Sequence, residues 1–265
     1  MRTFVRLVMI LALTPGLIWA QPSASAQQSC FLQEATIVGT NDDDVLAGTQ
    51  GKDVIVGLKG NDIIRGFGGD DLLCGNDGND RLLAGPGSDH LIGGAKDDRL
   101  AGGTGADQID YPDATRRLEI DLARGVGRGR GVDSISGVEN VAGGPLGDVL
   151  RGDGKANGLL GASGADTLYG RGGDDSLYPG IPSADEDDRA FGGPGNDFIP
   201  AGGGNDTIRG GPGADDLIGD PGNDALFGGD GDDSLDGGGG SDSLDGGAGI
   251  DTCRRGETTV KCEGP

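Results

Sequence analysis

The sequence predicts an all-β repeat fold, a solenoid of short strands and tight turns, from three observations. An aspartate falls on every ninth residue through most of the chain, an aliphatic residue follows all but the last of them two positions later, and glycine supplies 58 of the 265 residues. No helix or single strand has a nine-residue period, so the spacing reports a repeated unit. Only 34% of the residues are hydrophobic and 4% aromatic, too few for a conventional two-layer core. Glycine loses the most backbone freedom on folding, and the net charge is −23, so the chain faces a large entropy cost and strong self-repulsion. Such a composition reads as disorder unless something positive organises it, and the regular placement of the acids favours the latter.

Taken in chain order, the N-terminus has the layout of a secretory signal peptide. Arg2 and Arg6 precede an apolar stretch from Leu7 to Trp19, and the small residues Ala24-Ser25-Ala26 follow. Residues 1–26 are expected to be removed, with cleavage after Ala26 as first choice and after Ala20 as second. Losing Arg2 and Arg6 takes the charge of −23 to −25. No other apolar stretch is long enough to span a bilayer, so an extracellular product without a membrane span is expected. Residues 27–38 are a lead-in with a strand at Ala35-Thr36-Ile37-Val38.

The unit is seen plainly in Gly192-Gly193-Pro194-Gly195-Asn196-Asp197-Phe198-Ile199-Pro200. Glycine dominates positions one, two and four, aspartate holds six, and an aliphatic residue holds eight. The first run, residues 27–110, carries eight units from Gly39, with position six at Asp44, Asp53, Asp62, Asp71, Asp80, Asp89, Asp98 and Asp107. Position eight is Leu46, Ile55, Ile64, Leu73, Leu82, Leu91, Leu100 and Ile109, expected to point inward while positions seven and nine point out.

Residues 111–142 leave the pattern. Leu118-Glu119-Ile120-Asp121-Leu122 alternates as a strand does, and Ile135, Val138 and Val141 continue a β reading, so a β insert packing on the solenoid is expected. It holds one basic patch, Arg116, Arg117, Arg124, Arg128 and Arg130. The patch is small and lacks aromatics in a chain whose field repels phosphate, so no nucleic-acid partner is expected. Twelve units follow over 143–254, with position six at Asp148, Asp166, Asp175, Asp188, Asp197, Asp206, Asp215, Asp224, Asp233, Asp242 and Asp251. Asn157 replaces one aspartate, and in the first run Lys96 replaces a position-four glycine. Four extra residues at 179–182 predict a bulging loop. Residues 255–265 are expected to form a terminal disulfide cap. Four cysteines allow three connectivities, of which Cys30–Cys74 on the first coils and Cys253–Cys262 on the last turn are favoured.

This unit resembles the G-G-x-G-x-D-x-U-x nonapeptide of haemolysin-type (RTX) calcium-binding repeats over residues 39–254, with twenty copies in phase. The resemblance implies a right-handed parallel β-roll in which two units make one coil, so that Asp44 sits beside Asp62 and Asp53 beside Asp71. It implies multiple calcium ions between stacked turns, held by position-six carboxylates and glycine-turn carbonyls. Calcium accepts six to eight such oxygens in irregular geometry, whereas magnesium demands a tight octahedron and transition metals want histidine or thiolate. The chain would then fold on binding calcium outside the cell. Many relatives leave through a dedicated transporter, whereas this sequence carries an N-terminal signal.

No catalytic machinery is legible. With His90 as the one histidine, H-E-x-x-H cannot be built, and Gly161-Ala162-Ser163-Gly164-Ala165 is a variant turn rather than G-x-S-x-G. The expectation is a non-catalytic structural or interaction module with an unidentified cell-surface or matrix partner. The alternatives are an RTX-type adhesin or an accessory module of an extracellular enzyme or toxin system. An enzyme built on Asp113, Glu119 and Asp121 of the insert ranks below both.

Overall fold

The computed structural model describes residues 6–7, 29–181 and 186–262, and among them every regular element is a strand. The expected signal peptide thus lies, but for residues 6–7, outside the described residues, as does residue 182 of the loop expected at 179–182. The chain divides into two compact units, residues 1–109 with 130–138, and residues 110–129 with 139–265. Each is a parallel β-solenoid, and among the described residues no helix is long and apolar enough to cross a membrane.

In the first unit one sheet stacks Asp44–Ala47, Ile63–Arg65, Arg81–Pro86, Arg99–Thr104 and Val132–Ser136. The other stacks Ile37–Val38, Val54–Lys59, Leu72–Asp77, His90–Ala95 and Gln108–Asp110. Pairing is parallel and two units out of step, which sets Leu46 on Ile64, Leu82 on Leu100, Ile55 on Leu73 and Leu91 on Ile109. The alternation of the strand turns every position-eight side chain inward, where all are fully buried. Each contributes about 1.5–3 kcal/mol, so many repeats are needed to hold a solenoid this thin. The outward face is also covered at the start of the run. The hairpin of Ser29–Cys30 and Gln33–Glu34 is tied to the sheet by the Cys30–Cys74 disulfide, with Cα atoms 6.0 Å apart. Cys30, Val54, Val56, Leu72 and Cys74 form a small second core there.

In the second unit one sheet runs from Glu119–Asp121 through Val149–Arg151, Thr167–Tyr169, Arg189–Phe191, Thr207–Pro212, Ala225–Asp230 and Ser243–Ala248 to Thr258–Val260. The other runs from Asn140–Ala142 through Gly158–Leu160, Ser176–Tyr178, Phe198–Pro200, Asp216–Ile218 and Ser234–Asp236 to Thr252–Arg254. The coil lengthens from 18 residues between Asp148 and Asp166 to 22 between Asp166 and Asp188 without losing register, since Leu168 still pairs with Ala190. Outward position-nine side chains stack too. Tyr169 lies on Phe191 with ring centroids 4.9 Å apart, and the Arg209 guanidinium sits 4.4 Å over Phe227. The Cys253–Cys262 disulfide closes the last coil, its Cα atoms 5.7 Å apart.

The region expected as an insert differs from a separate element laid on the solenoid, because its strands are themselves coils. Glu119–Asp121 pairs in parallel with Val149–Arg151, Val132–Ser136 with Arg99–Thr104, and Asn140–Ala142 with Gly158–Leu160. Ile120, Ile135 and Val141 occupy position-eight places and are buried. Only Val126–Arg128, antiparallel to Glu119–Asp121, departs from the coil.

Candidate metal centre

Every position-six aspartate is buried, and the turn geometry gives its two oxygens different surroundings. Oδ1 accepts the N–H of the position-six residue one coil earlier. Asp44 donates to Asp62, Asp53 to Asp71, Asp197 to Asp215 and Asp206 to Asp224, each at 2.8 Å. The same bond links Asp62 to Asp80, Asp71 to Asp89, Asp80 to Asp98, Asp89 to Asp107, Asp148 to Asp166, Asp166 to Asp188, Asp175 to Asp197, Asp224 to Asp242 and Asp233 to Asp251. Oδ2 is different. In Asp62, Asp71, Asp80, Asp89 and Asp98 of the first unit it is buried with no hydrogen-bond partner. The same holds in Asp166, Asp175, Asp197, Asp206, Asp215, Asp224, Asp233, Asp242 and Asp251 of the second. A buried carboxylate oxygen without a donor is costly, and here the cost repeats coil after coil.

The glycines divide into two jobs. At positions two and four the backbone is left-handed, as at Gly211 with φ 124° and Gly213 with φ 150°. At position one the requirement is space. A Cβ on Gly57 would strike Asp62 Oδ2 and the Gly75 carbonyl oxygen, and one on Gly210 would strike Asp215 Oδ2 and the Gly228 carbonyl oxygen. These position-one glycines therefore leave a slot into which the carboxylate oxygen of their own unit and a carbonyl oxygen of the next coil both point.

The electrostatics follow from that packing. Burial is the main force, pushing Asp98 and Asp166 up to about 8, and Asp62, Asp175, Asp188, Asp215 and Asp224 to about 7. Asp71, Asp80, Asp197 and Asp206 rise to about 6 by the same cause. The N–H bond from the preceding coil works against the rise. Facing aspartates add to it, as Asp80 and Asp44 do for Asp62, and Asp197 and Asp233 for Asp215. Rows of acids so placed favour whatever neutralises them.

Some positions depart from the rule. The Oδ2 of Asp44 accepts from Thr40 N–H at 2.6 Å and its hydroxyl at 2.8 Å, and that of Asp53 from Thr49 N–H at 2.6 Å and its hydroxyl at 2.9 Å. These threonines stand at position two of the first coil. Asp148 Oδ2 takes the Gly144 N–H at 2.8 Å. Asn157 accepts the Asp153 N–H at 2.8 Å and donates to the Glu139 carbonyl at 3.0 Å. Beside it, Arg171 grips the Asp121 carboxylate with two bonds of 2.9 and 2.8 Å and the Gly152 carbonyl at 2.8 Å. Burial would raise Asp121, but Arg171 and Arg124 hold it below the usual carboxylate range. Glu119 pairs with Arg151 at 3.3 Å.

Two features lay beyond the nine-residue frame. Asp133 accepts the Asp98 N–H at 3.0 Å and so fills a position-six place 35 residues on. Its signal was the D-x-U of Asp133-Ser134-Ile135, without the glycines. Glu257 accepts the Asp242 N–H at 2.5 Å. Position-five side chains also bridge coils: Asn205 accepts from Asn223 N–H and Asn223 from Ser241 N–H.

Among the described residues no three His, Cys, Asp or Glu side chains converge on a point. An ion in these slots would draw on carboxylates of successive coils together with main-chain carbonyls. That all-oxygen, irregular donor set suits calcium and no thiophilic or imidazole-seeking metal.

A family profile described as the RTX calcium-binding nonapeptide repeat (4 copies) matches residues 36–57, 47–82, 83–111, 143–177, 184–217 and 218–253. No curated protein matches the chain. Among solved structures, the extracellular lipase LipA from Serratia marcescens is similar at 18% identity with a TM-score of 0.19, over 71% of this chain and 31% of the lipase. The chain thus spans about a third of that protein's length, and a TM-score so low carries no argument about either fold or function.

Proposed function

The chain belongs to the RTX calcium-binding nonapeptide repeat family, and we propose that it is a secreted, non-catalytic solenoid that folds on binding calcium at its position-six aspartates. The observation that carries this reading is the buried Oδ2 without a donor, repeated coil after coil beside a carbonyl of the next coil. Bound calcium supplies the positive charge that these facing oxygens lack. The residues do the rest. Oδ1 locks each turn to the preceding coil, the position-one glycine opens the slot, and the position-eight aliphatic seals it from beneath. Where carboxylates face one another without a cation, the coils repel and the thin core is too small to hold them.

Two disulfides support an oxidising compartment, and the basic, apolar, small-residue order of the N-terminus supports export through a cleaved signal. Scarce calcium inside the cell would keep the chain export-competent, and abundant calcium outside would fold it. The reading is tested by calorimetric titration of the mature chain with calcium and, separately, with magnesium. Several calcium ions bound with release of protons, and weak or no magnesium binding, are expected. Absence of calcium binding at millimolar concentrations would remove the proposal.

A further inference from the structure

The last coil of the second unit is built unlike the others. Its final strand, Thr258–Val260, is reached through only Arg255-Gly256-Glu257, half the length of a regular turn. The donors of a regular slot nevertheless reappear there. Glu257 Oε2 accepts the Asp242 N–H at 2.5 Å, the bond that Oδ1 of the next aspartate makes elsewhere, although the spacing is 15 residues and not 18. Over Gly237, Asp242 Oδ2 and the Arg255 carbonyl oxygen converge on the same space, as Asp215 Oδ2 and the Gly228 carbonyl do over Gly210. Asp242 is buried, and its Oδ2 has no partner.

The extra methylene of glutamate restores the reach that the shortened turn gives up. Two clamps hold that turn in place. The Cys253–Cys262 disulfide brackets it, and the Arg255 guanidinium grips the Asp236 carboxylate through two nitrogens.

We propose that Glu257, Asp242 Oδ2 and the Arg255 carbonyl form a terminal calcium site that closes the C-terminal end of the stack and is held together by the Cys253–Cys262 disulfide. It rests on the reading that the regular slots hold calcium. The end of a solenoid is where coils fray and where an unpaired edge is exposed. An ion bridging the last two turns, under a covalent clasp, ties down that edge.

The test is equilibrium dialysis of the full oxidised chain against calcium, comparing wild type with Glu257→Gln, which keeps an acceptor for the Asp242 N–H but removes the charge. One ion is expected to be lost or bound roughly tenfold more weakly, because ligand charge sets calcium affinity. Hydrogen exchange at Thr252–Arg254 and Thr258–Val260 should quicken in parallel. Cys253→Ser with Cys262→Ser should weaken the same ion, with no further loss when combined with Glu257→Gln. Should Glu257→Gln not fold, Glu257→Asp serves instead, and its shorter reach should also weaken one ion. Wild-type ion number and affinities in a folded Glu257 variant overturn the terminal site alone. A wild-type chain that binds no calcium overturns the regular slots as well.

Discussion

Two stretches of the second unit share one backbone plan and complete it in opposite ways. From Asp197 to Asp242 each turn leaves a buried Oδ2 without a donor. At Asn157 the same turn is finished by the protein itself. A neutral amide satisfies both its ends, and the Arg171 guanidinium binds the position-one carbonyl of Gly152 together with Asp121. The difference teaches what the aspartate is for. A coil of this shape does not need an acid at position six, since an amide and an internal cation close it. Elsewhere the position-six acids leave a buried Oδ2 without a donor in coil after coil, and on the proposed reading a cation from outside completes those turns.

The largest expected effect sharpens that contrast through pH. Burial raises Asp62, Asp98, Asp197 and Asp215 to about 6–8, so in the metal-free chain their contribution favours folding below about pH 4, where they are protonated even when unfolded. That contribution is lost as pH rises through 6 to 8. In chelator, circular dichroism should thus show β-structure appearing on acidification. Asn157 and Arg171 do not titrate in this range, so hydrogen exchange in 149–160 should depend less on pH than in 207–244.

The next effect breaks the internal cation. Arg171→Met leaves the Asp121 carboxylate to Arg124 alone and should cost about 2 kcal/mol in denaturant melts, lower than for a fully buried pair because Arg171 is partly exposed. Added calcium should not restore it. Full rescue by calcium would show that the arginine merely fills a slot open to an ion.

A third substitution converts one kind of turn into the other. Asp215→Asn should weaken one calcium ion roughly tenfold, about 1.4 kcal/mol, yet stabilise the chelated chain, because an amide replaces a charge buried without a donor. Equal destabilisation in both conditions would contradict the comparison. The smallest effect is at the entrance to the first unit. Thr49→Val removes one of two donors to Asp53 Oδ2 and should cost about 1 kcal/mol, measurable by thermal melting with calcium present.

Much of this was legible in the sequence because position six and position eight are locked in one phase. That lock announced the inward ladder from Leu46 to Leu244, while the coil of two units followed from the resemblance to RTX repeats. What stayed hidden involves residues whose partners are far away or out of step. Arg171 and Asp121 are 50 residues apart; Arg171 replaces a position-two glycine and Asp121 lies outside the repeats. Asp133 and Glu257 enter the aspartate ladder at spacings of 35 and 15, where turn length changes but stacking persists. The threonines at positions 40 and 49 look like ordinary departures from glycine until their hydroxyls are seen on Asp44 and Asp53. Composition alone could not separate the glycines that supply left-handed backbone from those that clear the slot.

The central claim is that unsatisfied carboxylates make folding depend on calcium, and far-ultraviolet circular dichroism of the mature chain during a calcium titration, with magnesium as control, tests it most directly. The account predicts a cooperative coil-to-β transition with calcium and little change with magnesium. A spectrum already rich in β-structure in chelator at neutral pH, and unmoved by calcium, would contradict it.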